Sequence, residues 1–388
     1  MVLLPKEGGG ERTITLTFGI YRLLMSIRKP WTSTWEQGAA GFWDSAVRGS
    51  SALRAAILRE AKSEISGALG SSVLEILWGM EKLYDVMNQE EVARMAIQLQ
   101  YPTVLLYLGL IAHRSSRVLS IEETCSLPVV PHRSLVAGCM QSVAWTRCFL
   151  FDVLAEVHAR YRPNLQVHRW VDDLSQRGQG PRAVVLQQSL ECAVFLASSL
   201  VRKGARISPK SCILGEPSLA RELQHGLREA GVHVKTKVQC RDSGVDGTAR
   251  RRRRLTVFRA RQRKGFHRLR TIRSLCRTTP TARKLVFTGA CPQLFWGQEA
   301  KGSSPTAIRA ARRAVAKATG ARKVGGCLTT ALALDVGFHK DRFLPRGQLA
   351  AKLVAYCLAG TGPWQGPGSS SGPSKGAPSV DGVRLQGP

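Results

Sequence analysis

A long segment of the chain, residues 247–298, contains no aspartate or glutamate, and a run of five arginines lies near its start: Arg250, Arg251, Arg252, Arg253 and Arg254. The whole chain of 388 residues carries a formal net charge of +30. Because like charges repel one another, such an excess predicts a negatively charged partner. Nucleic acid and an anionic membrane surface are the two candidates, and a solvated basic tail on an ordinary domain is the alternative.

The membrane candidate has little support in the sequence. The longest apolar stretch, residues 104–111, is too short to span a bilayer, and the N-terminus lacks the apolar run of a signal peptide. The ten cysteines form no Cys-x-x-Cys pair and no zinc-finger spacing with histidine. Free thiols without an export signal predict an intracellular location, with the nucleus as a candidate compartment.

Apolar periodicity and turn residues predict an α+β fold, in which an antiparallel sheet carries helices on one face. The predicted helices cover residues 51–69, 88–99, 144–159, 183–201 and 304–320. The predicted strands cover residues 13–17, 73–80, 165–171, 207–214 and 232–238. Asn88 followed by Glu91 predicts a capping box at the start of the second helix.

The last predicted helix has two unlike faces. Pro305 suits its first turn and Gly320 its end. Its basic face carries Arg309, Arg312, Arg313 and Lys317, and its apolar face carries Ile308, Ala311, Val315 and Ala318. We expect the apolar face to pack against the rest of the protein and the basic face to contact a nucleic-acid backbone. The arginines of residues 250–254 are also expected to contact a nucleic-acid backbone.

Inside this basic chain, the segment HRWVDDLS brings Asp172 and Asp173 together at a predicted strand reversal. Adjacent carboxylates repel each other unless a cation lies between them, which makes them candidate metal ligands. A solvated turn is the alternative, because aspartate is common in β-turns. A two-metal centre for phosphoryl transfer needs carboxylates from more than one strand, so an upstream strand must supply a partner.

Short motifs in a consistent order over residues 12–246 resemble the reverse transcriptases of non-LTR retrotransposons. The matching segments are RTITLTFGIYRL, LWGMEKLYDVM, LVAGCMQSVAWTRCFLF, WVDDLS, ISPKSCIL and DSGVD. The resemblance implies partial fingers over residues 1–70, a polymerase palm over 71–246 and a basic, helical, thumb-like region over 247–345. A tail rich in Gly, Pro and Ser follows over 346–388 and is expected to be disordered at least from residue 360.

The resemblance implies an RNA-directed DNA polymerase that binds RNA and DNA as template and primer. Such an enzyme uses Mg²⁺ or Mn²⁺ and deoxynucleotides. Asp172 and Asp173 match its metal ligands, and Lys210 matches a proton donor near the leaving pyrophosphate. Tyr84 matches the residue that screens the sugar 2′-hydroxyl, Gly138 and Gln141 match the segment beneath the templating base, and Arg12 lies in the segment that contacts template. Core packing is the alternative role for Tyr84, and a solvated surface position for Lys210.

The chain departs from the family at one position. The first palm motif of the family places an aspartate five residues before its aromatic residue, where this chain has Gly79. Glu81 projects from the same face of the strand about 6.6 Å farther along, which is too far to replace the missing ligand. Asp85 lies beyond the strand. The resemblance therefore implies impaired two-metal nucleotidyl transfer, and the short segment before Arg12 is expected of a truncated or degenerate copy.

Three functions stay open at this point. The chain is a polymerase, active or decayed; or a non-catalytic nucleic-acid-binding protein that keeps the scaffold and the basic surface; or an unrelated RNA-binding protein with an accidental Asp-Asp turn. Dependence on a divalent metal separates the first two. The polymerase interpretation requires that the acidic turn and the strand ending near residue 80 be neighbours in one sheet.

Overall fold

The computed structural model describes residues 2–5, 11–15, 17–121, 124–131, 133–242, 244–248 and 255–321, together with residues 327 and 332. The helices are α1 Gly19–Ile27, α2 Lys29–Ala39, α3 Ala52–Ala68, α4 Leu83–Val86, α5 Gln89–Gln98, α6 Thr103–Arg114, α7 Ser142–Tyr161, α8 Arg182–Arg202, α9 Pro217–Glu229, α10 Thr256–Thr278, α11 Cys291–Phe295, α12 Gln298–Lys301 and α13 Pro305–Thr319. The strands are β1 Val2–Pro5, β2 Glu11–Ile14, β3 Ser72–Trp78, β4 Met80–Glu81, β5 Ser120–Ile121, β6 Thr124–Cys125, β7 Leu165–Trp170, β8 Asp173–Gly180, β9 Arg206–Ile207, β10 Cys212–Gly215, β11 Lys235–Thr236, β12 Cys240–Asp242 and β13 Val245–Gly247.

A five-stranded sheet in the order β11-β10-β3-β8-β7 lies at the centre of the molecule. Strand β3 pairs antiparallel with both β10 and β8, β7 pairs antiparallel with β8, and β11 runs parallel to β10. Helices α7, α8 and α9 pack on one face of this sheet. The predicted α+β fold, an antiparallel sheet with helices on one face, is confirmed.

Residues alternate along the strands between two faces of the sheet, as the two-residue period of a strand requires. Leu74, Ile76 and Trp78 of β3 are buried on the side of the helices. Glu75 and Leu77 point to the opposite face, where α3 contacts β3. We call these the helix face and the cleft face.

Among the described residues, one helix, α8, is long and apolar enough to cross a membrane. Four of its residues, Cys192, Ala193, Leu196 and Leu200, are completely buried in the core. The apolar character of α8 is therefore explained by packing against the sheet.

A second hydrophobic core lies in the basic region, where α10 packs against α11 and α13. Helix α13 confirms the predicted two-faced helix. The Ser304 hydroxyl caps it by accepting the Ala307 N–H, and Gly320 ends it with a left-handed φ of 77°. Its apolar residues Ile308, Ala311, Val315 and Ala318 are buried, Arg309, Arg313 and Lys317 are exposed, and Arg312 is half-buried.

Several details of the predicted elements are wrong. Residues 207–214 form two strands, β9 and β10, because Pro209 lies in a turn between them. Trp170 pairs with Asp173, so the hairpin loop consists of Val171 and Asp172, and Asp173 begins β8. The opening segment contains a strand that was not predicted, β1, which pairs with β2.

The predicted capping box at α5 is only half present. The Asn88 side chain accepts the N–H of Glu90 and caps the helix as expected. Glu91 instead forms ion pairs with Arg94 and Lys203. The four-part division of the chain stays a prediction, and its tail, residues 346–388, lies outside the described residues.

Candidate functional site

The strand that ends at Trp78 and the acidic hairpin are neighbours in the central sheet. Strands β3 and β8 pair over seven residues, from Ser72 opposite Gly180 to Trp78 opposite Leu174. One further step in this register sets Gly79 against Asp173, the first residue of β8. The spatial requirement of the polymerase interpretation is therefore met, and the position facing the acidic hairpin has no side chain.

Gly79 and Asp173 line an open cleft of about 1010 Å³ on the cleft face of the sheet. Basic residues outnumber acidic ones in its wall. The basic residues include Arg59, Lys62, Lys82, Arg177, Arg206, Lys210, Lys237 and Arg241, and the acidic residues are Glu75, Glu81, Asp85, Asp173 and Asp242. A cleft with an excess of one charge concentrates ligands of the opposite charge, which here means anions.

The loop of the acidic hairpin is strained. Val171 has a left-handed φ of 59°, a conformation that is unfavourable for a β-branched residue. The Nε atom of Arg169 holds the loop by donating a hydrogen bond of 2.8 Å to the carbonyl oxygen of Val171. Strained backbone that surrounding contacts hold in place is common at functional sites.

A buried ionic network supports this loop from the helix face. Arg169 pairs with Asp44 at 2.9 Å, and Arg147 pairs with the same Asp44 carboxylate oxygen and with Glu36 at 2.7 Å. The backbone beside Asp44 also joins β7, since the Arg169 N–H donates to the carbonyl of Trp43 at 2.7 Å. The network fixes the end of β7 and thereby the position of the acidic hairpin.

This network was not predicted from the sequence. Its two acidic residues lie more than a hundred residues before its two arginines in the chain, and each of the four resembles an ordinary surface charge when read alone. One signal was present: Arg169 has the same strand parity as Leu165 and Val167, which are both buried. An arginine at a core-facing position of a strand requires a buried acidic partner.

The two aspartates differ in their surroundings. Partial desolvation of its carboxyl group in the cleft, followed by the negative charge of Asp172, raises the pKa of Asp173 to about 6. Asp172 lies close to Tyr84, where burial and then the Asp172 charge raise the pKa of the phenol against the effect of a hydrogen bond with Thr146. Tyr84 is thus half-buried beside the acidic hairpin.

The carboxylates near the hairpin do not fit a two-metal centre. Gly79 supplies no ligand, and Glu81 is exposed and lies opposite Arg206 in the short β4–β9 ladder. Among the residues that the structure describes, no three His, Cys, Asp or Glu side chains are grouped so that they could hold a metal ion. A centre of this kind needs carboxylates from more than one strand, and here the second strand contributes none.

Gly79 also anchors the loop that carries Lys210. Its N–H donates to the Ser211 hydroxyl at 3.0 Å, and its carbonyl accepts the Ser208 N–H at 2.8 Å. Lys210 is exposed and lines the cleft beside Gly79. A Cβ at position 79 would lie 3.3 Å from the Cβ of Ser208, so a side chain there requires a small shift of this loop.

The other predicted site residues are dispersed. Gln141 is buried, accepts a hydrogen bond from the Tyr101 hydroxyl and donates one to the Met25 sulfur. Gly138 adopts a left-handed φ of 95° in the turn before α7. Neither residue belongs to the described lining of the cleft. Arg12 lies in β2. The basic residues of α13 belong to a helix whose apolar face packs in the second hydrophobic core. Residues 250–254 lie outside the described residues.

No protein-family model matches the sequence, and no curated protein matches it either. Among solved structures, the chain is similar to telomerase from Candida tropicalis in complex with a TWJ fragment of telomeric RNA, at 10% identity and a TM-score of 0.46, over 91% of this chain and 63% of that one. Apo telomerase from the same organism gives 10% identity and a TM-score of 0.44, over 88% and 54%. A form of it truncated from the C-terminal domain gives 13% and 0.44, over 64% and 52%. The chain thus spans less than two thirds of the length of these structures.

Proposed function

We propose that this protein is related to reverse transcriptases, binds RNA or DNA in its cationic cleft, and is impaired in nucleotidyl transfer. One observation carries the proposal: the β3–β8 register ends with Trp78 opposite Leu174, and its continuation by one residue sets Gly79 opposite Asp173. A polymerase of this family has an aspartate there by the motif resemblance. The chain keeps the acidic hairpin and the sheet beneath it, and it lacks the carboxylate that completes them.

The wall of the cleft supports nucleic acid as the ligand. Lys210 lies on one side of Gly79 and Lys237 and Arg241 lie on the wall formed by the β11–β12 segment. Phosphate groups of a nucleic-acid backbone are the natural partners of several lysines and arginines in a groove. These contacts position a strand without selecting its sequence, so the proposal includes no sequence preference.

The order of the motifs supports a non-LTR retrotransposon origin within the reverse transcriptases. With two adjacent aspartates as the main donors, Mg²⁺ or Mn²⁺ is expected to bind weakly. Nucleic-acid binding by the cleft then depends on basic side chains and is independent of a divalent metal. This distinguishes the proposed function from that of a complete polymerase, for which metal and deoxynucleotide strengthen the complex.

The test is the salt and metal dependence of binding to a single-stranded RNA and to an RNA–DNA duplex. With about six phosphate contacts, affinity is expected to fall roughly a thousandfold between 50 and 200 mM salt. EDTA is expected to leave it unchanged. The variant Lys210→Gln should weaken binding, whereas Arg228→Gln, an exposed arginine of α9 on the helix face, should not. A flat response to salt contradicts the proposal.

A further inference from the structure

The cleft contains a second charged centre, separate from the acidic hairpin. Arg177 lies four residues along β8 from Asp173, which corresponds to about 13 Å of extended strand. Lys62 of α3 and His168 of β7 lie beside it, and all three residues line the cleft. Neither the polymerase resemblance nor the metal chemistry of the hairpin uses this centre.

Arg177 is only 4% exposed, and its donors are incompletely used. Its Nη1 donates to the Ser63 hydroxyl at 3.0 Å, and its nearest carboxylate oxygen, on Glu75, is 3.9 Å away. Its Nε and Nη2 have no hydrogen-bond partner among the described residues. Buried guanidinium donors without acceptors are costly, and an acceptor that reached them would stabilise the protein.

Lys62 adds a second cation at short range. Its ammonium donates to the side-chain oxygen of Gln166 at 2.9 Å, and Gln166 pairs with Arg177 in the β7–β8 register. Burial, followed by the charges of Arg177 and Arg162, lowers the pKa of Lys62. Burial, followed by Lys62 and Arg177, lowers the pKa of His168 to about 4. Because burial and the charges of Lys62 and Arg177 all oppose its protonation, His168 is neutral at pH 7.

The nearby carboxylates are directed mainly to another arginine. Arg59 forms ion pairs with Asp242, with Glu75 at 3.9 Å and with Glu60 at 3.8 Å. Glu75 is thus shared between Arg59 and Arg177. In the described part of the chain no carboxylate lies within ion-pair distance of Lys62, so positive charge is in excess on the Lys62 side of the centre.

We propose that Lys62, His168 and Arg177 form a binding site for a phosphate group on the cleft face of the sheet. The planar guanidinium of Arg177 supplies two donors for the phosphate oxygens, and the ammonium of Lys62 supplies a second cationic donor. The neutral imidazole of His168 supplies a further N–H donor. The bound group is a phosphate of a nucleic-acid backbone or a free phosphate, and only the first source rests on the proposed function.

The first experiment measures thermal unfolding in increasing inorganic phosphate at constant ionic strength, held with chloride. The variants are Lys62→Met and, as a control that also removes one positive charge, Arg228→Met on the helix face. Phosphate is expected to raise the unfolding temperature of the wild type and of Arg228→Met with concentration, as a ligand of the folded state does. The fitted affinity should fall at least tenfold in Lys62→Met. Equal phosphate affinities in wild type and Lys62→Met would overturn the site.

The second experiment identifies the source of the phosphate. If a backbone phosphate occupies the site, Lys62→Met should lower the slope of log affinity against log salt for an oligonucleotide by about 0.7–0.9, the value of one lost contact. An unchanged slope together with lost inorganic phosphate binding supports the site and assigns it to free phosphate. Phosphate binding without any oligonucleotide binding by the wild type supports the site and contradicts the proposed function.

Discussion

The two faces of the central sheet differ in the burial of their residues and in the partners of their charged groups. On the helix face, Leu74, Ile76 and Trp78 are buried and the charged residues that occur there, such as Arg169, have close ionic partners. On the cleft face, alternate residues of the same strands include Glu75, Arg177 and Asp173, whose partners are distant or of like charge. One face stabilises the fold, and the other holds charged groups at a cost in stability.

This difference explains how an aspartate expected at position 79 can be absent while the fold persists. A carboxylate there would face Asp173, whose own pKa is already raised by partial desolvation in the cleft and by Asp172. Adding a third negative charge costs stability unless a cation is bound, and removing it relieves that cost. Glycine at position 79 therefore removes a metal-binding carboxylate from the cleft face without weakening the core on the helix face.

The largest expected effect comes from breaking the ionic network on the helix face. Asp44→Ala leaves Arg169 and Arg147 without their shared carboxylate and should destabilise the protein by about 3–5 kcal/mol. The measurement is the urea midpoint of unfolding. Glu81→Ala, which removes an exposed carboxylate at the end of the cleft face, serves as the control and should change stability by less than about 0.5 kcal/mol. Equal effects of the two variants would contradict the division between the faces.

A smaller effect is expected from two neighbouring aliphatic residues of β3. Ile76→Ala removes a buried side chain from the helix face and should cost about 2–5 kcal/mol of unfolding free energy. Leu77→Ala removes a partly buried side chain from the cleft face and should cost about 1 kcal/mol. Urea titrations of both variants compare the faces one residue apart. If Leu77→Ala proved the more damaging, the assignment of the core to the helix face would be wrong.

The smallest effect concerns the pH dependence that Asp173 introduces. Its pKa of about 6 in the folded protein exceeds the value of about 3.9 for an unfolded aspartate. The folded state therefore binds the proton more tightly, and stability falls as pH rises from about 4 to 6. Asp173→Asn removes this loss.

The stability difference between Asp173→Asn and the wild type should grow by about 1 kcal/mol across that pH range, after allowance for solvent screening of an exposed group. Urea midpoints at several pH values measure it. Asp242→Asn, which alters another carboxylate of the cleft wall, is the comparison. A constant difference between Asp173→Asn and wild type at all pH values would show that folding does not raise the pKa of Asp173.

The five predicted helices were predictable because their signals are local, whereas α1, α2, α6, α9 and α10 were not predicted from the sequence as separate helices. Pro305 in the first turn, the stop at Gly320 and the apolar spacing of α13 all lie within one segment, and the structure confirms each. Strand pairing is a contact between distant segments, and periodicity carries no information about it. The adjacency of β3 and β8 was therefore expected from the motif resemblance and not from residue patterns.

The site was predictable only in part, for related reasons. Gly79 and the acidic hairpin follow from motif order, and the structure places them together. The partners of Arg169 come from the segment around Asp44, and the phosphate site combines α3, β7 and β8, so neither forms a motif along the chain. Pro209, by contrast, was a local signal for the break between β9 and β10, and the prediction of one strand over residues 207–214 did not take it into account.

The most direct test of the central claim is primer extension on an RNA template with Mg²⁺ by the wild type, Gly79→Asp and Gly79→Ala. The alanine variant introduces the same Cβ beside Ser208 but no carboxylate, so it controls for the shift of the loop. We predict that all three proteins bind the template–primer equally. We also predict that Gly79→Asp extends it at least about 100-fold faster than the other two, since a metal ligand is worth more than its supporting contacts. Robust synthesis by the wild type, or by Gly79→Ala, would contradict the account.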